Sequence, residues 1–348
     1  MSELPRVVMM GTGTFARPTF EALLASPNVK VVGLVTQPDR EGAHQRGSTR
    51  LTGATLKEIA VERGVPVYQP VSVNTPKGVA QLQAWTPDLL VVAAYGQILK
   101  DDVLRAARWG GINVHGSLLP KYRGAAPVAH AILNGETTTG VTIIRMTTGL
   151  DAGDMLAKGV TEILPQETAG ELELRLAPLG ARLALDVIER ARNENGISAL
   201  PATKQDPTLV TKAPKLKKEH GLIDWSQPAE QVVRHIRAMQ PWPTAYTFLH
   251  CRFKPSKRVI IGKAAVADPR LPSRGDTTHP VEHSGEYTAG EIIVDSDHLF
   301  ITTGSIWVPL STVEILALQP EGKKQMSAAD FIRGHSLSQG DCFSNRPE

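Results

Sequence analysis

The chain reads as an α/β protein, a doubly wound and mostly parallel sheet followed by a small β-barrel. Three observations predict this. In the first half, short all-apolar strands alternate with helix-spaced segments, the pattern of a parallel sheet covered on both faces. A polar stretch holding Pro201, Pro207 and Pro214 then breaks the alternation. Beyond it come short strands with frequent turns, which suit a small barrel. A length of 348 residues exceeds one typical domain and fits two.

Residues 6–10 make a buried strand ending at Gly11, and residues 19–24 have helical spacing. Residues 29–35 supply the next strand. Residues 56–63 are helical and stop at Gly64, and apolar runs at 89–93 and 112–114 give two further strands. Ligands of such sheets bind beyond the carboxyl ends of strands, where Tyr95-Gly96 and His115-Gly116 lie. A helix over 127–133 stops at Asn134-Gly135. Strands over 141–146 and 154–163 flank a turn at Asp151, and a helix over 172–190 is expected despite Pro178. The domains are then residues 1–195, a linker at 196–216, and the barrel at 217–335. Within the barrel, a helix spans 229–239 and strands fall at 245–249, 258–261, 290–294, 299–302 and 313–318. Residues 268–288, rich in Pro, His, Ser and Thr, read as a long exposed loop, and residues 336–348 as a disordered tail.

Hydrophobic content of 41% is that of an ordinary globular protein, and no apolar run approaches the roughly 18 residues of a membrane span. The first residues lack the charged-then-apolar pattern of a signal peptide. Cys251 and Cys342 are far apart and near no ligand-like partner, so neither a disulfide framework nor a zinc site is expected, and a cytoplasmic location follows. The net charge of +3 hides an asymmetry: residues 1–203 carry +1, residues 204–274 carry +9, and residues 275–348 carry −7. A basic segment at a linker suits a polyanionic partner; the plainer alternative is a solvated basic face.

The candidate chemistry lies in Asn113-Val114-His115-Gly116 and in Gly149-Leu150-Asp151-Ala152-Gly153-Asp154. Residues two apart in a strand share a face, so Asn113 and His115 aim into one site. An amide N–H can donate to a developing oxyanion, an imidazole can move a proton near neutral pH, and Asp151 can orient the imidazole. That trio suits acyl transfer. Gly11-Thr12-Gly13-Thr14-Phe15-Ala16 fits a dinucleotide fingerprint, but the next strand ends in Thr36-Gln37-Pro38. Asp39 comes later than the usual ~20-residue spacing, so NAD is not expected. Asp151-Ala152-Gly153-Asp154 has too few ligands for calcium, and no metal is expected. Lys215-Leu216-Lys217-Lys218, with Arg252, Lys254, Lys257 and Arg258, can track phosphates. Pro241-Trp242-Pro243 reads as a packing turn.

The run Asn113 to Pro120, then Lys121-Tyr122-Arg123-Gly124-Ala125-Ala126-Pro127, Gly140-Val141-Thr142 and Gly149 to Leu156 resembles the folate-dependent formyltransferases. So do Thr36-Gln37-Pro38-Asp39-Arg40 and Ala94-Tyr95-Gly96-Gln97-Ile98-Leu99. The resemblance covers nearly the whole chain. Ile223-Asp224-Trp225, Pro241-Trp242-Pro243 and Pro320-Glu321-Gly322-Lys323-Lys324-Gln325-Met326-Ser327-Ala328 favour the branch that acts on methionyl-tRNA. The resemblance implies a Rossmann-like catalytic domain and an oligonucleotide-binding-type (OB-like) barrel that binds tRNA. It implies formyl transfer from 10-formyltetrahydrofolate, a co-substrate, to the α-amino group of methionine on initiator methionyl-tRNA, with Asn113, His115 and Asp151 as catalytic residues. It places the folate against Tyr95, Gly96, Gln97, Ile98, Leu99, Ser117, Leu118, Leu119 and Pro120. It assigns tRNA contacts to Arg40, Arg46, Arg50, Lys215, Lys217 and Lys218. A monomer without a membrane partner is expected. The rival readings are a formyltransferase for another amine, such as a glycinamide ribonucleotide or an amino-sugar nucleotide, and an RNA-binding protein without catalysis. Three stretches depart from the family: Thr12-Gly13-Thr14 breaks the more usual Gly-Thr-Pro, acidic residue and Phe pattern while Phe15 keeps it, residues 40–50 keep three arginines but lack a Gly-Arg-Gly-Lys cluster, and Thr52-Gly53-Ala54-Thr55 replaces a Pro-containing turn before Lys57.

Overall fold

The computed structural model describes residues 3–39, 55–252, 255–267, 288–305, 308–335, 337, 338 and 340–347. Residues 40–54, with Arg40, Arg46 and Arg50, lie outside this set, as do residues 268–287 of the expected long loop. The chain divides into two compact units. One comprises residues 1–131, 136–164 and 170–215; the other comprises 132–135, 165–169 and 216–348.

The first unit runs β1 (Arg6–Gly11), α1 (Gly13–Ala25), β2 (Lys30–Val35), α2 (Leu56–Glu62), β3 (Val67–Tyr68), α3 (Pro76–Ala84), β4 (Leu89–Ala93), α4 (Asp101–Leu104) and β5 (Gly111–His115). It continues with β6 (Arg123–Gly124), α5 (Pro127–Leu133), β7 (Thr138–Arg145), β8 (Met155–Glu162), α6 (Ala169–Asn193) and β9 (Lys212–Ala213). Seven strands form one sheet in the order β3-β2-β1-β4-β5-β7-β8. The first five are mutually parallel, and β7 and β8 add an antiparallel edge. Strand order reverses between β1 and β4, the switch point at which sheets of this type open a crevice. Both central strands are buried along their length, which is why Val7-Val8-Met9-Met10 and Leu89-Leu90-Val91-Val92-Ala93 read as continuous apolar runs. On one face Val8, Met10, Leu90 and Val92 pack with Leu82, Leu99 and Val103. The helix α3 was not anticipated; it starts at Thr75, whose hydroxyl accepts from Gly78 N at 3.1 Å.

The second unit holds α7 (Ala229–Ala238), β10 (Ala245–His250), β11 (Lys257–Val266), β12 (Ile292–Asp295), β13 (His298–Ser305), β14 (Val308–Pro320), β15 (Met326–Ser327), α8 (Ala328–Gly334) and β16 (Cys342–Ser344). Its antiparallel sheet has the order β12-β13-β14-β11-β10-β16, with β15 on β14. The two ends of that order meet. Phe343 N donates to Gly290 O at 2.8 Å and Ile292 N to Asp341 O at 3.3 Å, which nearly closes a barrel. Trp225 fills the interior, stacked on Phe343 at 6.0 Å and donating to the Thr247 hydroxyl at 3.0 Å.

Two expectations need correction. Residues 336–348 are not a disordered tail over their described part, because β16 pairs with β10 and Phe343 is buried. The expected linker, 196–216, is not a bare tether. It carries β9, which pairs with β6, and Thr203 bridges to Met155.

Candidate active site

Strand β5 carries two of the three candidate residues. Parallel β4 and antiparallel β7 hold it on either side, with Asn113 opposite Val92 and Ile144, and His115 opposite Thr142. Asp151 stands in the turn between β7 and β8. Its backbone has φ +46°, and Gly153 follows where a Cβ would lie 1.7 Å from Arg145 O. That turn therefore closes only with glycine at 153.

The structure brings the three side chains together around one carboxylate. Asn113 Nδ2 donates to Asp151 Oδ1 at 3.1 Å, Gly124 N donates to Asp151 Oδ2 at 2.9 Å, and His115 Nδ1 faces Oδ2 at 3.6 Å. A carboxylate only accepts, so the Asn113 amide must present its nitrogen and keeps its second N–H for another acceptor. His115 is buried, and its Nε2 donates to Tyr122 O at 2.9 Å. A carbonyl also only accepts, so Nε2 carries hydrogen and Nδ1 is the nitrogen turned toward Asp151. Asp151 thus holds the Asn113 amide by a hydrogen bond and lies beside the imidazole, while a peptide carbonyl anchors the ring from its far side.

Residue-type reasoning missed that outer frame because much of it is backbone. Tyr122 has φ +64°, and its hydroxyl donates to Glu136 Oε1 at 2.7 Å. This hydrogen bond, with Lys121 at 2.9 Å, holds the Glu136 carboxyl below its usual range. Gly124, at φ +128°, lies where a Cβ would fall 2.4 Å from Ala213 O. Thr142, fully buried, donates to Ser117 O at 2.7 Å and accepts from Leu119 N at 3.1 Å, fixing the loop after β5. Its only sequence signal was its place in Gly140-Val141-Thr142.

The residues expected around folate leave the carboxyl ends of two neighbouring strands, Tyr95 to Leu99 after β4 and Ser117 to Pro120 after β5. They divide by exposure. Gly96 and Ile98 are exposed, and Leu118 and Pro120 are half-buried. Tyr95, Leu99, Ser117 and Leu119 are buried. Burial pushes the Tyr95 phenol up to about 12, and its hydroxyl has no partner among the described residues. Gln97 is a brace, accepting from Val73 N and donating to Val71 O, each at 3.1 Å. Lys215, Lys217 and Lys218 are all exposed, and Lys217 approaches Glu219 at 3.6 Å. Lys215 closes the first unit and the other two belong to the second. No group of three or more His, Cys, Asp or Glu that could hold a metal ion occurs among the described residues. None of their helices is long and apolar enough to cross a membrane.

Two family models match the chain: formyl transferase over residues 5–188, and formyl transferase, C-terminal domain, over residues 215–336. The chain is 40% identical over 343 residues to the methionyl-tRNA formyltransferase of Citrifermentans bemidjiense, covering 98% of this chain and 97% of that one. It is 40% identical to the enzyme of the same name from Geobacter metallireducens, covering 96% and 97%. Among solved structures, a sugar 3N-formyl transferase crystallised with dTDP and 5-N-formyl-THF has a TM-score of 0.60 at 15% identity. That alignment covers 93% of this chain and all of the other, and it speaks to the fold alone.

Proposed function

Because this chain belongs to the formyl transferase family, among the methionyl-tRNA formyltransferases, we propose that it moves the formyl group of 10-formyltetrahydrofolate to the α-amino group of methionine on initiator methionyl-tRNA. One observation carries the reading at the site: a single carboxylate, Asp151, is bonded to the Asn113 amide and faces the His115 imidazole at the end of β5. The amine nitrogen attacks the formyl carbon, and the carbonyl oxygen takes up negative charge. Asn113 gives its second N–H to that oxyanion. Collapse breaks the bond to N10 of the folate, which leaves as tetrahydrofolate after gaining a proton, and the amine loses one. His115 Nδ1 and Asp151 handle that exchange, with the ring held by Tyr122 O.

The folate lies against the loops after β4 and β5, where exposed Gly96 and Ile98 and half-buried Leu118 and Pro120 offer surface. The tRNA meets Arg40, Arg46 and Arg50 and the exposed Lys215, Lys217 and Lys218. The net charge of +9 over residues 204–274 supports this placement. The test is transfer from 10-formyltetrahydrofolate to methionyl-tRNA, with glycinamide ribonucleotide as a competing acceptor. Formyl should appear on the tRNA; preferential formylation of the ribonucleotide would overturn the assignment.

A further inference from the structure

Gln205 lies in the segment that sequence reasoning took for a linker, yet its side chain is tied at both ends to the loops around the carboxylate. Its Nε2 donates to Asp151 O at 2.8 Å and to Gly153 O at 2.7 Å, and its Oε1 accepts from Arg123 Nε at 3.0 Å. Two carbonyls require the nitrogen and a guanidinium requires the oxygen, so the amide has one orientation. One side chain therefore spans the Asp151 turn and the strand β6, whose Gly124 N is bonded to Asp151 Oδ2. The segment continues this role. Thr211 Oγ1 accepts from Tyr122 N at 2.8 Å, and Thr211 O accepts from Arg123 N at 2.9 Å. Asp151 and Tyr122 are non-glycine residues at positive φ, a backbone state that persists only where surroundings fix it. Gln205 bonds directly to the first, and Thr211 to the second.

We infer that Gln205 is a positioning residue for Asp151, and through Asp151 for Asn113 and His115, acting from the segment that leads out of the first unit. The inference rests on the formyl transfer proposed above. Gln205→Met keeps the length and removes all three hydrogen bonds. Gln205→Glu keeps an acceptor for Arg123 but sets a carboxylate oxygen against two carbonyls. Both variants should lower kcat by roughly 10- to 100-fold, because small misplacements of reacting groups have effects up to that size, while the KM for folate stays near wild type. In an Asp151→Asn background, Gln205→Met should add little, since a residue that acts through Asp151 has nothing left to position. Hydrogen exchange in full-length protein should quicken over residues 147–155 in Gln205→Met and stay unchanged over β1 and β4.

Wild-type kcat in Gln205→Met overturns the inference. So does an undiminished further loss in the Asp151→Asn background, which would mark a general packing role, and so does unchanged exchange over residues 147–155. If wild-type protein transfers no formyl group to methionyl-tRNA, the functional reading falls instead, and the exchange experiment still decides whether Gln205 holds the turn.

Discussion

Replacing Asp151 by Asn tests the site most sharply, because it preserves shape and turn while changing donors and charge. The wild-type carboxylate accepts from Asn113 Nδ2 at 3.1 Å and from Gly124 N at 2.9 Å. An amide has one oxygen and one NH2, so it can accept from one of these and must oppose the other donor to donor. If Gly124 N is the group left unpaired, the site carries a desolvation cost of about 1–3 kcal/mol. If the Asn113 amide is turned away, the oxyanion loses its donor, an effect of about 2.7–4 kcal/mol, or roughly 10²–10³ in kcat. Either outcome also removes the negative charge 3.6 Å from His115 Nδ1. The expected result of Asp151→Asn is therefore a fall in kcat of roughly 10²–10³ with tRNA and folate binding retained. Single-turnover transfer to methionyl-tRNA, beside equilibrium binding of both substrates, measures it. The competing idea is that Asp151 only shapes a turn at φ +46°, a conformation Asn also accepts. Near-wild-type single-turnover rates in Asp151→Asn would establish that idea and refute the catalytic assignment.

Three further outcomes are expected. Removing Lys215, Lys217 and Lys218 together should weaken tRNA binding and flatten its log–log salt dependence by ~0.7–0.9 for each true phosphate contact; an unchanged slope would make them solvated bystanders. Phe343→Ala, which empties a buried position stacked on Trp225, should destabilise the second unit by about 3–5 kcal/mol, read from denaturant unfolding of that unit. Burial holds the His235 imidazole below its ordinary 6.5, so the unfolded chain takes up a proton that the folded unit resists. Stability of that unit should therefore fall as pH drops below about 6.5, and His235→Gln should flatten the dependence in melts at about pH 7.5 and 5.5.

How far the sequence carried depends on where each signal is stored. Strands β1 and β4 were legible because full burial demands an unbroken apolar run, and β5 from the alternation of buried Ile112 and Val114 with Asn113 and His115. The helix α3 was not, since Lys77, Gly78, Gln81 and Gln83 leave it weakly apolar and its start rests on the cap at Thr75. Strand β16 escaped notice because Phe343 is its one core side chain amid polar neighbours. At the site, the shared face of Asn113 and His115 followed from strand periodicity. Their meeting with Asp151 depends on the β7–β8 connection. The peptide groups of Tyr122 and Gly124 could not be found by residue type, because every residue has them. Gln205 lay hidden in a stretch whose prolines and polarity looked like a tether.

The closure of the barrel by β16 has a consequence for how the chain is made. Thr247 and its partner Ser344 are 97 residues apart in sequence. Synthesis runs at roughly 5–20 residues per second, so β10 waits about 5–20 seconds after leaving the ribosome before its outer neighbour exists. In that interval residues 248–250 of β10 lack the partner that β16 supplies and can seek other strands, including their own counterpart on a neighbouring nascent chain. The arrival of Phe343 thus decides how long this edge stays open, and a message broken before it yields a product whose sheet lacks the strand that closes it.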